Sequence, residues 1–456
     1  MGIRKFGWFL IIFVLLFTQA CTQKAPPSNE KITLNVWAWD GNYNRFAADF
    51  MAKNPNIRLQ WIEPFEQSHK DILLNENIDF ESYRKQYFEA LDKAQPDVIL
   101  LTESSTYHTL ASTGKLLSLE SYIEKEEFQK ETYSQHLIEM LRSTGNGTLF
   151  AVAVGFYNEA LFYNKTLLQQ YGVEVPEAGL SWEAMLDITK LLPTGPEKDD
   201  IHGYFVGTRE KPSTSWSVIK NIGLSRGLKY ADLEQKKVTL NTESWQKIWE
   251  MVLEGYKSGA MYEHIEKMPI NPLSGYPDII PEIAYGPFFS GKSAFSIRSP
   301  YFIEVLKKGN VPFEWGIVPE PIDSKMAEGV SMSPSELYAI NVASGHKEEA
   351  WELLNYLVSE ERAKQLASSE NIMDTLPART NTVKSNDPQF APFYALPPSQ
   401  NAFYFEGTIP PKFSEKVSSI ALKLFAELME DKLTVAEALE KLQNEAQVEM
   451  NALSGS

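Results

Sequence analysis

Hydrophobic and polar positions change their period repeatedly along this chain. Apolar side chains alternate with polar ones at 32–36 and again at 57–61, which predicts two half-buried strands. A stretch with helical spacing separates them, and a second helical stretch spans 81–94. The short apolar run at 97–101 is typical of a strand buried in a parallel sheet. This alternation of strand and helix predicts an open α/β sheet.

The same alternation returns further along the chain and predicts a second α/β unit. Trp245 and Trp249 share one helical face, and this spacing indicates buried core aromatics. Thr434 and Glu437 have the spacing of a capping box, which predicts the start of a last amphipathic helix. The other predicted elements of this unit are strands at 150–154, 294–297 and 313–318, and helices beginning at Ser181 and Glu348.

The composition narrows the range of functions. The chain has 456 residues, enough for two or three domains, and 43% of them are apolar. Its 43 Lys and Arg against 60 Asp and Glu give a net charge of −17, which argues against binding to nucleic acid or to anionic lipid. A single cysteine excludes a disulfide framework and a cysteine-based zinc site. The six histidines are isolated from one another, so we expect no metal site and no cofactor.

The first twenty residues have the features of a secretory signal. Arg4 and Lys5 precede a run at 6–17 that has no polar side chain. This run is shorter than the roughly 20 apolar residues that a helix needs to cross a bilayer. We therefore expect residues 1–20 to be removed as a signal peptide.

Cys21, the only cysteine, follows this segment directly. It resembles the lipidated cysteine of the bacterial lipobox, although Thr18 stands where that motif usually has Leu. The resemblance implies that Cys21 carries fatty acids such as palmitate, and the polar segment 21–31 then serves as a tether. We expect a body held at the extracellular face of the cell membrane by lipid alone. An ordinary secretory signal with an incidental thiol is the alternative.

Two short motifs match the patterns of enzymes. Residues 286–293, GPFFSGKS, match the phosphate-binding loop, but the following AFSIRSP predicts a strand where that loop requires a helix. Residues 223–227, GLSRG, match the esterase nucleophile elbow around Ser225, yet the preceding spacing predicts a helix instead of an apolar strand. With His264 and His346 as candidate bases, and with carboxylates that could meet in space, a secreted lipoprotein hydrolase (esterase or glycosidase) stays open as an alternative.

Aromatic side chains near predicted strand ends and loops suggest a ligand site. In open α/β sheets, ligands bind beyond the carboxyl ends of the strands. Flat rings with a polar edge suit the apolar faces and the hydroxyl rim of a sugar ring. The aromatics in such places are Trp37, Trp39, Tyr107, Tyr157, Trp216, Tyr301 and Tyr404, and the polar residues close to them in sequence are Asp40, Glu103, Asn158 and Arg298.

Six blocks of the sequence carry a resemblance to a known family. In chain order they are TLNVWAWDGN, PDVILLTESSTYHTLASTGKLLSLESYI, GTLFAVAVGFYNEALFYNKTLLQQYGVEVPEAGLSWEAM, FFSGKSAFSIRSPYF, SELYAINVASGHKEEAWELLNYLVSEE and LPAR. They resemble the extracellular solute-binding proteins of family 1, the sugar receptors of ATP-driven importers. Ser331-Met332-Ser333 and Gly155 depart from the family pattern, which affects the choice of ligand more than the fold.

The resemblance implies an α/β fold of the type II periplasmic-binding-protein kind, with two lobes, a hinge and a ligand cleft between the lobes. We expect the first lobe at 32–140 plus 283–330. The second lobe is then expected at 141–282 plus 331–456.

The resemblance also implies a receptor without catalytic activity. A carbohydrate, expected to be an oligosaccharide, would be captured by hinge closure. The loaded monomer would then deliver it to the permease subunits and the associated ATPase of an ABC importer. The expected ligand contacts are Trp39, Asp40, Ser104, Ser105, Tyr107, Tyr157, Trp216, Arg298, Tyr301 and Tyr404. The same fold with a peptide, a polyamine or another polar solute is a further alternative.

Overall fold

The computed structural model describes residues 31–38, 44–63, 80–195, 200–206, 215–263, 286–323, 329–368, 375–382, 387–399, 405 and 407–452. Within these ranges the chain forms two large β-sheets with helices packed on them, and a separate two-stranded ribbon. The predicted α/β fold class is confirmed. Every helix in these ranges is too short or too polar to span a membrane.

The strands are distributed along the whole described chain. They are β1 (Ile32–Trp37), β2 (Ile57–Ile62), β3 (Val98–Leu101), β4 (Ala151–Tyr157), β5 (Ala160–Asn164), β6 (His202–Val206), β7 (Ala231–Asp232), β8 (Lys237–Val238), β9 (Met261–Glu263), β10 (Ser293–Arg298), β11 (Trp315–Pro319), β12 (Ser333–Ile340) and β13 (Thr375–Pro377).

Helices connect most of these strands and form the C-terminal part of the chain. They are α1 (Asn44–Lys53), α2 (Phe80–Ala94), α3 (Ser104–Ser112), α4 (Glu120–Ile123), α5 (Gln135–Thr144), α6 (Lys165–Gln170), α7 (Trp182–Thr189), α8 (Ser215–Ser225), α9 (Glu243–Lys257), α10 (Gly286–Phe289), α11 (Tyr301–Gly309), α12 (Lys347–Leu357), α13 (Glu360–Ser368), α14 (Ala391–Tyr394), α15 (Pro411–Met429) and α16 (Val435–Ala452).

The first sheet has the strand order β13-β4-β12-β3-β1-β2. β1 runs parallel to β2 and β3, while β12 runs antiparallel to β3 and β4. All four side chains of β3 are buried, as the apolar run at 97–101 predicts. Leu34 and Val36 of β1 are fully buried as well. The strands predicted at 32–36 and 57–61 are therefore confirmed, and both belong to this sheet.

The second sheet has the strand order β11-β5-β10-β6-β9. β5 is antiparallel to β10 and β11, whereas β10, β6 and β9 run parallel to one another. α9 packs on β9 and against α8, α15 and α16. Trp245 and Trp249 of α9 are fully buried there, as their helical spacing predicts.

Capping side chains begin two of the helices where the sequence predicts them. Ser181 Oγ accepts a hydrogen bond from the N–H of Ala184 at 3.0 Å, at the start of α7. Before α16, the N–H of Glu437 donates to Thr434 Oγ1 at 3.3 Å, and the N–H of Thr434 donates to Glu437 Oε2 at 2.8 Å. Each side chain thus satisfies a backbone N–H that the first helical turn leaves free.

In the described part of the chain, three segments lead from one sheet or its helices to the other. β4 leads from the first sheet into β5 of the second sheet through Asn158 and Glu159 alone. The chain returns from β11 to β12 through 320–332. It leaves for the last time after α14 and reaches α15, which packs in the second core. We call these segments the first, second and third crossings.

The strand pairing corrects the predicted division of the chain into lobes. By strand pairing, the described residues of 31–157 and 333–394 form the first lobe, and those of 160–319 and 405–452 form the second. The buried phenylalanines of α10 and α11, on either side of β10, pack with the core of the first lobe. The predicted boundaries placed 283–330 in the first lobe, but β10 and β11 pair with β5 in the second sheet. Conversely, β12 pairs with β3 and β4 in the first sheet. The sequence of a short apolar strand does not indicate which strand it pairs with. The hydrophobic pattern alone could therefore not assign these strands to a sheet.

Arg379, in the LPAR block, joins three segments of the first lobe. Its side chain is buried, with Nε donating to the carbonyl of Val358 at 2.6 Å. Nη1 donates to the carbonyl of Gln129 at 2.8 Å and to Thr132 Oγ1 at 2.9 Å. The guanidinium also lies over the ring of Phe128, 4.9 Å from its centroid. This planar fork of donors satisfies the buried carbonyl of Val358 together with two partly buried acceptors from the segment 129–132.

Arg379→Lys is expected to lower the free energy of unfolding by about 3 kcal/mol, because one ammonium cannot replace the forked donors and leaves the buried carbonyl of Val358 or the partly buried acceptors at 129–132 unpaired. Urea unfolding followed by tryptophan fluorescence measures this change. Arg58→Lys, at an exposed position on β2, is the matched control and should change stability by less than about 0.5 kcal/mol. Equal effects of the two substitutions would contradict the joining role of Arg379.

Candidate functional site

The carboxyl ends of the strands in both sheets face the crossings. In the first sheet β1, β3 and β4 run in the same direction, so Trp37, Leu101 and Tyr157 end at one edge. In the second sheet β10 and β11 end beside the start of β5, at Arg298 and Pro319. Because β4 enters β5 after only two residues, these edges are neighbours. They form the two sides of an interlobe cleft, which is where open α/β sheets bind their ligands.

Hydrogen bonds connect the crossings to one another and to α14. Asn158 Nδ2, on the first crossing, donates to the carbonyl of Phe393 in α14 at 2.6 Å. The N–H of Val330, on the second crossing, donates to the carbonyl of Pro397 on the third at 2.9 Å. The N–H of Ser399 donates back to the carbonyl of Val330 at 2.8 Å. The crossings therefore form one connected hinge region between the lobes.

Among the described residues, the first-lobe side of the cleft offers one accessible aromatic ring and a pair of serines. Tyr157 ends β4 and is 48% exposed, although the other six residues of that strand are buried. Its ring is therefore accessible for stacking on a ligand. Ser104 and Ser105 lie in the first turn of α3, just after β3, and both are buried. Ser105 Oγ donates to Glu103 Oε2 at 3.4 Å.

Arg298 and Tyr301 lie on the second-lobe side. Arg298 ends β10 and is only 5% exposed, with its guanidinium 5.3 Å from the ring centroid of Phe205 and 5.8 Å from that of Phe302. Arg298 Nη1 donates to the carbonyl of Ile297 at 3.3 Å. Tyr301 begins α11 and is half-buried. Aromatic rings thus hold a permanent positive charge at this edge of the sheet.

Tyr107 and Trp216 are core residues in the structure, contrary to their predicted role as ligand contacts. The Tyr107 hydroxyl donates to the carbonyl of Leu141 at 2.9 Å and accepts from the N–H of Phe150 at 3.3 Å. Burial raises the pKa of this phenol. Trp216 packs edge-on to Tyr230 in the second core. In sequence, both residues follow a strand or a loop, which is where site residues are expected. In the structure, each lies on the face of a helix that packs on the core.

Some of the predicted site residues lie outside the described residues. These are Trp39, Asp40 and Tyr404 among the ligand contacts, and Cys21 as the lipidation site. The predicted contacts that the structure places at the cleft edges are Ser104, Ser105, Tyr157, Arg298 and Tyr301.

A pair of carboxylates at the hinge escaped the sequence reasoning. Pro319 pairs with Ala160 in the antiparallel register, so the next residues outward, Glu320 and Glu159, continue that alignment beside each other. Both residues are half-buried. Burial, with a smaller contribution from the charge of Glu159, raises the pKa of Glu320 to about 8. Only the register between β5 and β11 brings the two acids together, so no spacing in the sequence could have identified them.

A third acid lies at the same edge of the second sheet. Glu263 ends β9, and its Oε2 accepts a hydrogen bond from the Tyr256 hydroxyl at 3.0 Å. Burial raises the pKa of this carboxyl too. The second-lobe edge therefore combines carboxyl groups with the guanidinium of Arg298, and this set can both accept and donate hydrogen bonds to a polar ligand.

The apparent phosphate-binding loop lacks the structure that its chemistry needs. The helix α10 precedes its turn, and the strand β10 follows it. No helix N-terminus is therefore presented to a phosphate at this turn. In the described part of the chain, no three His, Cys, Asp or Glu side chains group together as ligands for a metal ion.

The apparent nucleophile elbow is part of the helix α8. Ser225 is buried in the last turn, where its Oγ donates to the carbonyl of Ile222 at 2.8 Å. Gly223 faces Trp245 so closely that an added Cβ would lie 2.1 Å from the indole ring. The glycine of this motif therefore serves helix packing. Of the candidate bases, His346 begins α12 in the other lobe, and His264 lies outside the described residues.

Glu320→Gln is expected to remove a pH dependence of stability. Since the pKa of Glu320 is raised from 4.5 to about 8, the folded protein binds this proton more tightly than the unfolded chain does. Its contribution is fully present below about pH 4.5 and is lost as the pH rises to about 8, at up to about 1.4 kcal/mol per pH unit. Urea titrations across this pH range should show a flatter profile for the variant.

Glu314→Gln is the control for this measurement, because Glu314 is an exposed acid just before the other end of β11. It should keep the slope of the unmodified protein. Identical slopes in all three proteins would show that folding does not raise the pKa of Glu320.

Comparison with solved structures gives neighbours with the same two-lobed fold. An extracellular solute-binding protein family 1 member from Alicyclobacillus acidocaldarius superposes with a TM-score of 0.64 at 16% identity, covering 92% of this chain and 99% of its own. The sugar-binding protein MalE from Xanthomonas citri gives 0.59 at 18%, covering 92% and 98%. An ABC substrate-binding protein from Listeria monocytogenes in complex with cycloalternan gives 0.52 at 20%, covering 93% and 100%.

Family membership comes from the sequence. The family model described as bacterial extracellular solute-binding protein matches residues 60–395, which is most of the chain and includes part of each lobe and the first two crossings. The chain therefore belongs to the family of bacterial extracellular solute-binding proteins.

Proposed function

We propose that this protein is the carbohydrate receptor of an ABC-type importer and that it binds an oligosaccharide in the interlobe cleft. The observation that carries the proposal is the exposed ring of Tyr157 at the hinge, across the first crossing from Arg298 and Tyr301. An exposed ring at the end of an otherwise buried strand forgoes the free energy that burial of its apolar surface would provide. Contact with a ligand that has an apolar face would recover it.

The polar groups of the cleft suit the rim of a sugar ring. Sugar hydroxyls both donate and accept hydrogen bonds. The carboxyls of Glu159 and Glu320 are acceptors for them, and the guanidinium of Arg298 is a donor. An aromatic plate together with charged hydrogen-bonding groups therefore matches a carbohydrate better than a purely apolar solute.

Two structural neighbours support this class of ligand. The X. citri protein is described as sugar-binding, and the L. monocytogenes protein is in complex with cycloalternan. Both share the fold of this chain, and sugars are therefore the first class of ligand to test.

Ligand capture follows from the connection of the lobes. A ligand in the cleft contacts the edge of the first sheet and the edge of the second sheet together, so it favours the closed arrangement over the open one. The shift in this equilibrium equals the ligand's differential affinity for the two arrangements. The closed receptor, acting as a monomer, then docks on the permease subunits, and the associated ATPase supplies the energy for transport.

This mechanism requires no bond to be broken in the ligand. The serine of the elbow-like motif is buried and bonded within its own helix, which supports a receptor over a hydrolase. The ligand is accordingly released unchanged.

Calorimetric titration with maltose, maltotriose and a cyclic glucan is expected to show saturable binding of at least one of them. Small-angle scattering should then show a smaller radius of gyration, because the lobes close on the ligand. Tyr157→Ala is expected to weaken binding about tenfold, equal to about 1.4 kcal/mol, since it removes the stacking surface. Mass spectrometry of the released ligand completes the experiment.

Tyr171→Ala is the matched control. Tyr171 is similarly accessible, at 39%, but it follows α6, which begins at the edge of the second sheet away from the cleft. Its substitution should leave the dissociation constant unchanged. Absence of binding to every sugar would refute the carbohydrate proposal, and recovery of a cleaved ligand would favour the hydrolase.

The position of the receptor at the cell surface rests on Cys21. We propose that this cysteine is lipidated after removal of residues 1–20 and that it anchors the protein outside the membrane. Cys21→Ser is expected to move the protein from the membrane fraction to the medium and to abolish labelling by a palmitate analogue. Thr22→Ser is the control and should remain membrane-bound. Retention of Cys21→Ser in the membrane fraction would contradict the anchor.

A further inference from the structure

The two lobes touch at a glycine on the far side of the third crossing. Gly407 belongs to the second lobe, because its neighbours Phe405 and Ile409 are buried in the second core. Ser104 belongs to the first lobe, at the start of α3. The backbone of Gly407 lies directly against this first turn of α3.

The contact is too close for any side chain at position 407. A Cβ added to Gly407 would lie 1.5 Å from Ser104 Oγ, 2.9 Å from Ser104 Cβ and 3.2 Å from the backbone nitrogen of Ser105. Real Cβ atoms essentially never come within 3.0 Å of a non-bonded heavy atom of another part of the chain. The backbone of Gly407 does not occupy the left-handed region, so its conformation alone would accept alanine. Proximity to the other lobe is the reason that this position needs glycine.

The position of Gly407 is fixed from the second-lobe side. Phe405 packs edge-on to Tyr230, with 5.0 Å between their ring centroids. The N–H of Ile409 donates to the carbonyl of Phe405 at 3.2 Å, and Thr408 Oγ1 donates to the same carbonyl at 2.9 Å. Extra bulk at position 407 therefore cannot be relieved by a local movement of this turn without disturbing the second core. Rotation of the Ser104 side chain would move its Oγ away but would leave the close approaches to Ser104 Cβ and the backbone nitrogen of Ser105, which separation of the lobes relieves.

We propose that Gly407 and Ser104 form the closing contact of the cleft, and that the missing side chain of Gly407 allows the lobes to come together. This inference rests on the proposed function, in which closure retains the ligand. Gly407 is then a positioning residue that determines the population of the closed state without touching the ligand. When the competent state is less populated, the apparent affinity falls by the same factor.

Gly407→Ala is expected to increase the radius of gyration of the unliganded protein, measured by small-angle scattering, and to weaken sugar binding about tenfold. The double variant Gly407→Ala/Ser104→Gly removes the obstructing Oγ and Cβ, and its scattering profile should return toward that of the unmodified protein. Gly345→Ala is the matched control, because an added Cβ there meets nothing within 4 Å and its backbone also lies outside the left-handed region. It should change neither quantity.

Scattering of the unliganded protein separates this inference from the proposed function, because it requires no ligand. An unchanged profile for folded Gly407→Ala overturns the inference, even when its thermal stability falls, since the contact would then persist in both arrangements. If Gly407→Ala does not fold, Ser104→Val adds bulk from the first-lobe side and should give the same expansion. An unchanged profile for Ser104→Val likewise overturns the inference.

Discussion

The short first crossing is the constraint on which the rest of the molecule depends. The chain from Tyr157 to Ala160 spans at most roughly 11 Å, so the ends of β4 and β5 cannot separate further than this. Strand pairing carries the constraint outward, because β4 fixes the edge of the first sheet and β5 fixes that of the second. The short connection and the backbone hydrogen bonds of the two sheets therefore place the two strand edges side by side. The cleft between these edges does not depend on side-chain contacts.

The sequence predicts the elements of this fold better than their assembly. Alternation at 32–36 and the helical face of Trp245 and Trp249 identify elements, because each periodicity reports which face is buried. The division into lobes depends instead on which strands pair, and β10 and β11 are short apolar segments that fit either sheet. Their assignment to the second sheet follows from antiparallel pairing with β5, an interaction between segments far apart in the chain.

The same distinction explains which of the predicted contact residues lie at the cleft edges. Tyr157 and Arg298 end strands, and the end of a strand at the carboxyl edge places its residue at the cleft whatever surrounds it. Tyr107 and Trp216 lie within helices, where a rotation of one residue decides between the cleft and the core, and both rings turn inward. The acids Glu159 and Glu320 carry no local signal, because their proximity exists only through the register of β5 and β11.

A receptor of this kind needs both the open and the closed arrangement to be populated without ligand. A large apolar interface between the lobes would hold them together unaided, since buried apolar area is stabilising whether or not a ligand is present. Buried apolar side chains of the two lobes do pack together beside the crossings, as Phe162 of β5 does against Phe393 of α14 with 6.2 Å between their ring centroids. The cleft edges carry instead an exposed tyrosine, a guanidinium and carboxyls. A backbone contact such as that of Gly407 with Ser104 adds little apolar area. The ligand must then supply most of the free energy of closure, so the population of the closed arrangement depends on whether ligand is bound.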